Sequence, residues 1–128
     1  MEIKLKDVNK YVAAIEKLSA EKMPLKTAFK LAKLKKEVSA QSEFYDENYR
    51  KIIFECAELD ENGRPVSNDN GMTIQIKPGK IEEVNQRMNE LNELTQEIGD
   101  YKFKIEDFGN IEIDADTLGE LMDFMEDE

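Results

Sequence analysis

Between Pro24 and Leu59 the chain offers no glycine and no second proline, and this one feature limits the fold more than any other. Without a residue that frees φ or removes a backbone donor, nothing local stops a helix once it has begun. Pro24 itself suits a first helical turn, and the residue before a proline is driven out of the helical region. The "EKMP" segment therefore separates this helix from whatever precedes it. Leu25, Ala28, Phe29, Ala32, Val38, Tyr45, Tyr49, Ile52, Ile53, Cys56 and Leu59 fall mostly on one broad stripe. A single helix of roughly 50 Å follows, at about 1.5 Å per residue. Its middle, "KKEVSAQSEFYDENYRK", is poor in aliphatic residues. So long a helix on a chain of 128 residues is expected to project or to pack against a second copy. A homodimer is the expectation, with a kink near Ser39 to Ser42 as the alternative.

The flanking segments carry their own periodicities. "MEIKL" alternates Ile3 and Leu5 with polar neighbours and reads as a short strand. Asp7 stands where an N-cap would, ahead of Val8, Tyr11, Val12, Ile15 and Leu18 at helical spacing, which predicts a helix from about residue 8 to 20. Two Asn-Gly pairs, at 62–63 and 70–71, and the alternation of Met72, Ile74 and Ile76 predict a hairpin or flap over residues 62 to 77. Ile81, Val84, Met88, Leu91, Leu94 and Ile98 predict a third helix ending at Gly99. "YKFKI" alternates again and is the expected strand partner of "MEIKL". In "IDADTLGELMDFM", Asp114 or Asp116 is expected to cap a short helix that turns Leu118, Leu121, Met122 and Met125 inward. The resulting fold class is α+β and mostly α: a helix pair with a long second helix, a β-hairpin flap, a third helix, a small sheet and a short C-terminal helix. Length and the absence of a low-complexity linker predict a single domain over residues 1–128.

Charge is distributed unevenly. Residues 1 to 36 sum to +6 and residues 37 to 128 to −17, within a net charge of −11. Every apolar run is too short to cross a bilayer, and the N-terminus lacks the apolar core of a secretory leader. A cytoplasmic protein that contacts no membrane is expected. The sequence holds no histidine, which removes Ser-His and Cys-His nucleophile pairs and histidine-bearing zinc sites. Cys56 has no second cysteine to pair with, and its setting "IIFECAEL" predicts a buried thiol.

Simpler explanations account for most of the residue clusters that suggest a site. "DENGRPVSNDNG" and "DADTLGE" are rich in oxygen donors, yet neither puts the right residues at the fifth and twelfth positions of a calcium loop. "DFG" at Asp107 to Gly109 stands without the other parts of a kinase. No glycine-rich phosphate loop is present. With 29 acids, neighbouring carboxylates such as Glu82 and Glu83 or Glu93 and Glu97 arise by number alone. No catalytic residue, metal or cofactor is therefore expected. The basic stretch "LKTAFKLAKLKKEV" is more informative: Lys22, Lys26, Lys30 and Lys33 recur at helical spacing, and Lys35 and Lys36 widen the patch. Lys26, Lys30, Lys33 and Arg50 are the candidate anion-binding residues. Direct nucleic-acid binding is not expected, because the overall field repels phosphate and no Arg accompanies the stripe. After Lys104 the chain has ten acids and no base. Asp114, Asp116, Glu120 and Asp123 are candidate partner contacts there, and Phe44, Tyr45 and Tyr49 are candidate aromatic anchors on the long helix, or else the dimer core.

The order of these segments, "MEIKLKDVNKYVAAIEKLSAEKMPLKTAFKLAKLKKEV", "YRKIIFECAELDENGRPV", "NGMTIQIKPGKIEEVNQRMNELNE" and "YKFKIEDFGNIEIDADTLGELMDFMED", resembles a family of small uncharacterised proteins encoded by phages and prophages of Gram-positive bacteria. The resemblance covers nearly the whole chain and rests on structural signatures, so it brings no catalytic residues with it. It implies a non-enzymatic accessory protein, present in the cytoplasm of an infected host cell, that binds and modulates or inhibits a host protein as an anti-defence factor. Alternative readings are a virion assembly factor or tail chaperone, a nucleotide-signal sponge, and an acidic mimic of nucleic acid.

Overall fold

The computed structural model describes residues 1–68 and 73–126. Strand β1 (Glu2–Lys4) runs through a 3-10 turn at Leu5–Asp7 into helix α1 (Val8–Ser19). Helix α2 (Leu25–Glu55) follows the "EKMP" break and runs unbroken through Ser39 to Ser42. Short strands β2 (Ser67–Asn68) and β3 (Thr73–Ile74) pair antiparallel, helix α3 (Ile81–Glu93) leads to β4 (Thr95–Glu97), and helix α4 (Ala115–Glu120) lies near the C-terminus. The result is mostly helical α+β, as the periodicities predict.

Two shorter helices share the inner face of α2. Near the start of α1, Asn9 donates to Asp46 at 3.1 Å and meets Ser42, so α1 runs back along the first half of α2. Beyond that point α3 takes over: the Tyr45 hydroxyl donates to Asn92 at 2.7 Å, and Arg87 pairs with Glu55 at 2.7 Å. The length of α2 therefore needs no second copy to bury its inner face. That face carries Thr27, Leu31, Leu34, Val38 and Ile52. The expected stripe is corrected at its N-terminal end, where Leu25 is 84% and Phe29 64% exposed. Two apolar rows compete in this part of the helix, and α1 covers the one containing Leu31 and Leu34.

The small sheet is also corrected. β1 pairs antiparallel not with "YKFKI" but with β4, in the register Glu2 to Glu97, Ile3 to Gln96 and Lys4 to Thr95. Helix α3 stops at Glu93 because Leu94 turns extended, at φ −63° and ψ 142°. Continuing the helix to Gly99 would leave β1 without a ladder. The strand instead supplies Leu94 O to Leu5 N–H at 2.9 Å and takes the Ile98 N–H onto Met1 O at 2.8 Å. Ile98 is buried here, as the helical spacing also expects, so its spacing does not distinguish the two arrangements. Within the predicted third helix, Ile81 and Leu94 lie exposed.

Local turn chemistry holds where the sequence places it. Asp60 Oδ1 accepts from Asn62 N–H and Arg64 N–H, and Gly63 takes φ 74°, closing the first Asn-Gly turn. The second pair, Asn70-Gly71, and Met72 lie outside the described residues. Asp114 is the cap of α4, accepting from Thr117 N–H at 3.0 Å. Asp7 occupies the cap position of α1 without a side-chain cap bond and pairs with Lys10 at 3.6 Å. After Glu120 the chain tightens into a 3-10 turn at Met122–Phe124, which swings Phe124 inward and leaves Met122 56% exposed, against expectation.

One apolar core joins these parts, from Ile3 and Leu5 through Ile15, Leu34 and Val38 to Phe103, Phe124 and Met125. Phe103 stacks on Phe108 at 5.4 Å, and Tyr11 meets Phe124 edge-on at 4.9 Å. The core thus reaches the C-terminal segment and makes it part of the same unit.

Candidate protein-binding groove in the C-terminal segment

Three local devices shape the segment from Ile105 to Met125. A 3-10 turn at Ile105–Phe108 is fastened at both ends: Asp107 Oδ2 accepts from Lys104 N–H at 2.8 Å, and the Thr27 hydroxyl donates to Asp107 O at 2.6 Å. Gly109 then takes φ 71° and ψ −138°, a conformation for which only glycine is suited, with its Cα face turned to Pro24. Finally Asp114 caps α4 through both the N–H and the hydroxyl of Thr117, the latter at 2.8 and 2.9 Å. These bonds, the Thr117 hydroxyl first, hold the Asp114 carboxyl below its ordinary range.

Between the turn and α4 lies an apolar groove of about 130 Å³. Its walls include Leu18 of α1, Phe108, Ile111, Ile113, Leu118 and Leu121, with Ile105 at the rim 55% exposed. The volume compares with a cavity that accepts one small ring, so it suits a single aliphatic or aromatic side chain. Every charged residue from Ile105 to Glu126 is acidic. An apolar floor in a segment of acidic charge, with Lys17 of α1 as the basic group near Asp114, fits an apolar side chain flanked by basic groups.

The predicted site residues divide into several places. Asp114 is committed to capping, and Asp123 accepts a 2.5 Å hydrogen bond from the Tyr11 hydroxyl, so both serve the fold. Asp116 and Glu120 stay exposed on α4, beside a shallow depression that also contains Lys17. Phe44 and Tyr49 are half exposed at 45% and 44%, whereas Tyr45 is partly buried and bonded to Asn92. Burial pushes the Tyr45 hydroxyl pKa up. These aromatics sit about 27 Å along α2 from Thr27, which touches the groove segment. They are not brought together with the acidic residues.

Of the four candidate anion-binding residues, Lys26, Lys30 and Lys33 follow one another on neighbouring turns near the start of α2, and Arg50 lies apart from them. Lys30 is anchored on the Lys102 carbonyl and over the Phe103 ring at 4.6 Å, and Lys33 lies over Phe29 at 4.9 Å. Arg50 stands about 30 Å further along the same helix from Lys30. Lys22 precedes α2 altogether. Cys56 is 1% exposed; burial, then the neighbouring Glu83 carboxylate, pushes its thiol pKa up, away from the reactive thiolate.

Sequence reasoning found the acidity of this segment but not its groove. The signal was the alternation of Ile111 and Ile113 with acids in "NIEIDAD", which places two apolar side chains on one side of an extended stretch. Comparison with protein-family models, with curated proteins and with solved structures finds no match to this chain.

Proposed function

We propose that this chain is a phage-encoded accessory protein that acts by stoichiometric binding, without turnover, on a protein of the host cell. In this reading the C-terminal groove receives an apolar side chain from a basic segment of the host protein, and occupancy modulates or inhibits that protein as an anti-defence function. The observation that carries the reading is the apolar groove set in a segment whose every charge is acidic, with Ile105 held exposed at its rim. A contact built this way gains its affinity from a buried anchor and its selectivity and association rate from the surrounding charge. The phage resemblance supports the setting.

The test is capture from cell extract on the immobilised protein, with Ile105→Glu and Leu118→Glu as controls. Retention of one host protein at a fixed ratio, weakened by salt and lost in both variants, is the expected result. Retention of capsid or tail proteins instead would replace this reading with virion assembly. A measured turnover on any substrate would overturn it.

A further inference from the structure

Helix α2 has a second face that its own chain leaves uncovered. At about 100° per residue, Leu25, Phe29, Ala32 and Lys36 in its first half and Glu43, Glu47, Arg50 and Phe54 in its second lie within one narrow arc opposite Leu34. All eight are exposed. Phe54 is 48% exposed, so large apolar side chains stand open at both ends of this row. Between them the charges change sign, basic in the first half and mainly acidic in the second. Among the described residues Lys36, Glu43, Glu47 and Arg50 have no ion-pair partner in their own chain.

We propose that this face is the surface on which a second copy of the chain docks, with the two α2 helices antiparallel. The spacing of the row is the same read in either direction: four, three and four residues from 25 to 36, and again from 43 to 54. Setting Lys36 opposite Glu43 of the second copy therefore also sets Leu25 opposite Phe54, Phe29 opposite Arg50 and Ala32 opposite Glu47. Each apolar end is covered by the other chain's apolar end. The Phe29 ring meets a guanidinium, and each pair of central charges is of opposite sign, twice over because the arrangement is two-fold symmetric. A parallel arrangement in register would place Lys36 on Lys36 and Glu43 on Glu43, which like-charge repulsion forbids. None of the eight residues lines the C-terminal groove, so the pairing goes beyond the proposed function.

Charge reversal tests the pairing directly. Lys36→Glu and Glu43→Lys are each expected to yield monomers at a concentration where the wild-type chain sediments as a dimer, with dissociation constants raised about a hundredfold or more. Mixed in equal amounts, the two variants are expected to form a dimer with one chain of each kind, because both contacts then join opposite charges. Both sites are exposed, and unchanged circular dichroism verifies the fold. A monomeric wild-type chain, single variants that remain dimeric, or a mixture that stays monomeric would each overturn the proposal. Capture of a host protein in the Ile105 experiment is read independently, so failure of one does not imply failure of the other.

Discussion

The Tyr11 hydroxyl donates a 2.5 Å hydrogen bond to Asp123 Oδ2, joining residues 112 positions apart in sequence. The Tyr11 ring is 2% exposed and packs edge-on against Phe124, while its hydroxyl reaches the carboxylate at the surface. This contact fastens the last turn of the chain to α1, next to Lys102, whose ammonium donates to Asp123 O at 2.7 Å. Replacing Tyr11 by Phe keeps the packing and removes only the bond, so a loss of about 1.5–3 kcal/mol is expected, as for hydrogen bonds to charged groups. Urea unfolding measures it. If Tyr11→Phe and Asp123→Asn do not show non-additive effects in a double-mutant cycle, the bond does not couple these elements.

The same tyrosine makes the fold sensitive to alkali. Burial, then Asp123, raises the Tyr11 pKa well above its ordinary value of 10.0, and the Glu37 carboxylate, then burial, pushes Tyr101 up to about 12. In both cases the native state holds its proton more tightly than the unfolded chain does. The stabilisation is fully present below about pH 10 and is lost as pH rises through the folded values, from about 10 to 12 for Tyr101. Unfolding midpoints measured across this window should fall. Tyr101→Phe should flatten that decline; a slope identical to wild type would remove Tyr101 as its source.

The two faces of α2 make opposite predictions for the same chemical change. Leu34 is fully buried between α2 and its neighbours, and Leu34→Ala is expected to cost about 2–5 kcal/mol. Leu25, 84% exposed, should tolerate Leu25→Ala within about 0.5 kcal/mol. Thermal or urea unfolding under conditions where the protein is monomeric separates them. Equal losses at both positions would mean that the helix is rotated from the orientation described.

Gly109 sets the direction of the groove segment after the 3-10 turn. Its φ of 71° and ψ of −138° disfavour any side chain, while a Cβ there would make only an ordinary contact with Pro24 Cδ at 3.5 Å, so the cost is one of backbone conformation. Gly109→Ala is expected to destabilise by about 1–3 kcal/mol. The loss should be largest in hydrogen-exchange protection at Phe103 N–H, which donates to Phe124 O across the segment. Substitution at Gly79, where a Cβ meets nothing within 4 Å, serves as the control.

Cys56 should behave as core rather than chemistry. With the thiol 1% exposed and its pKa raised, alkylation in the native state should follow the rate of opening of the fold and become fast only in urea. Native labelling as fast as in denaturant would contradict the burial.

Much of this architecture can be read from residues close together in the chain. The break at Pro24, the cap at Asp114 and the turn at Asp60 to Arg64 depend on neighbours within about four positions, and backbone sterics and short hydrogen bonds decide them locally. The long helix belongs with them, since nothing in it opposes propagation. Which face of that helix turns inward was a different matter: the row of Leu25 and Phe29 and the row of Leu31 and Leu34 are both apolar, and only α1 lying against one of them selects it. Likewise "TQE" carries no strand signal of its own; it becomes β4 because β1, more than ninety positions earlier, needs its backbone partners. Of the groove, only the pair Ile111 and Ile113 is marked in a short stretch; its other walls come from α1, a 3-10 turn and α4. Local free energies of a few tenths of a kcal/mol per residue leave such choices nearly balanced, and burial against elements distant in sequence, worth about 1.5–3 kcal/mol per large apolar side chain, decides them.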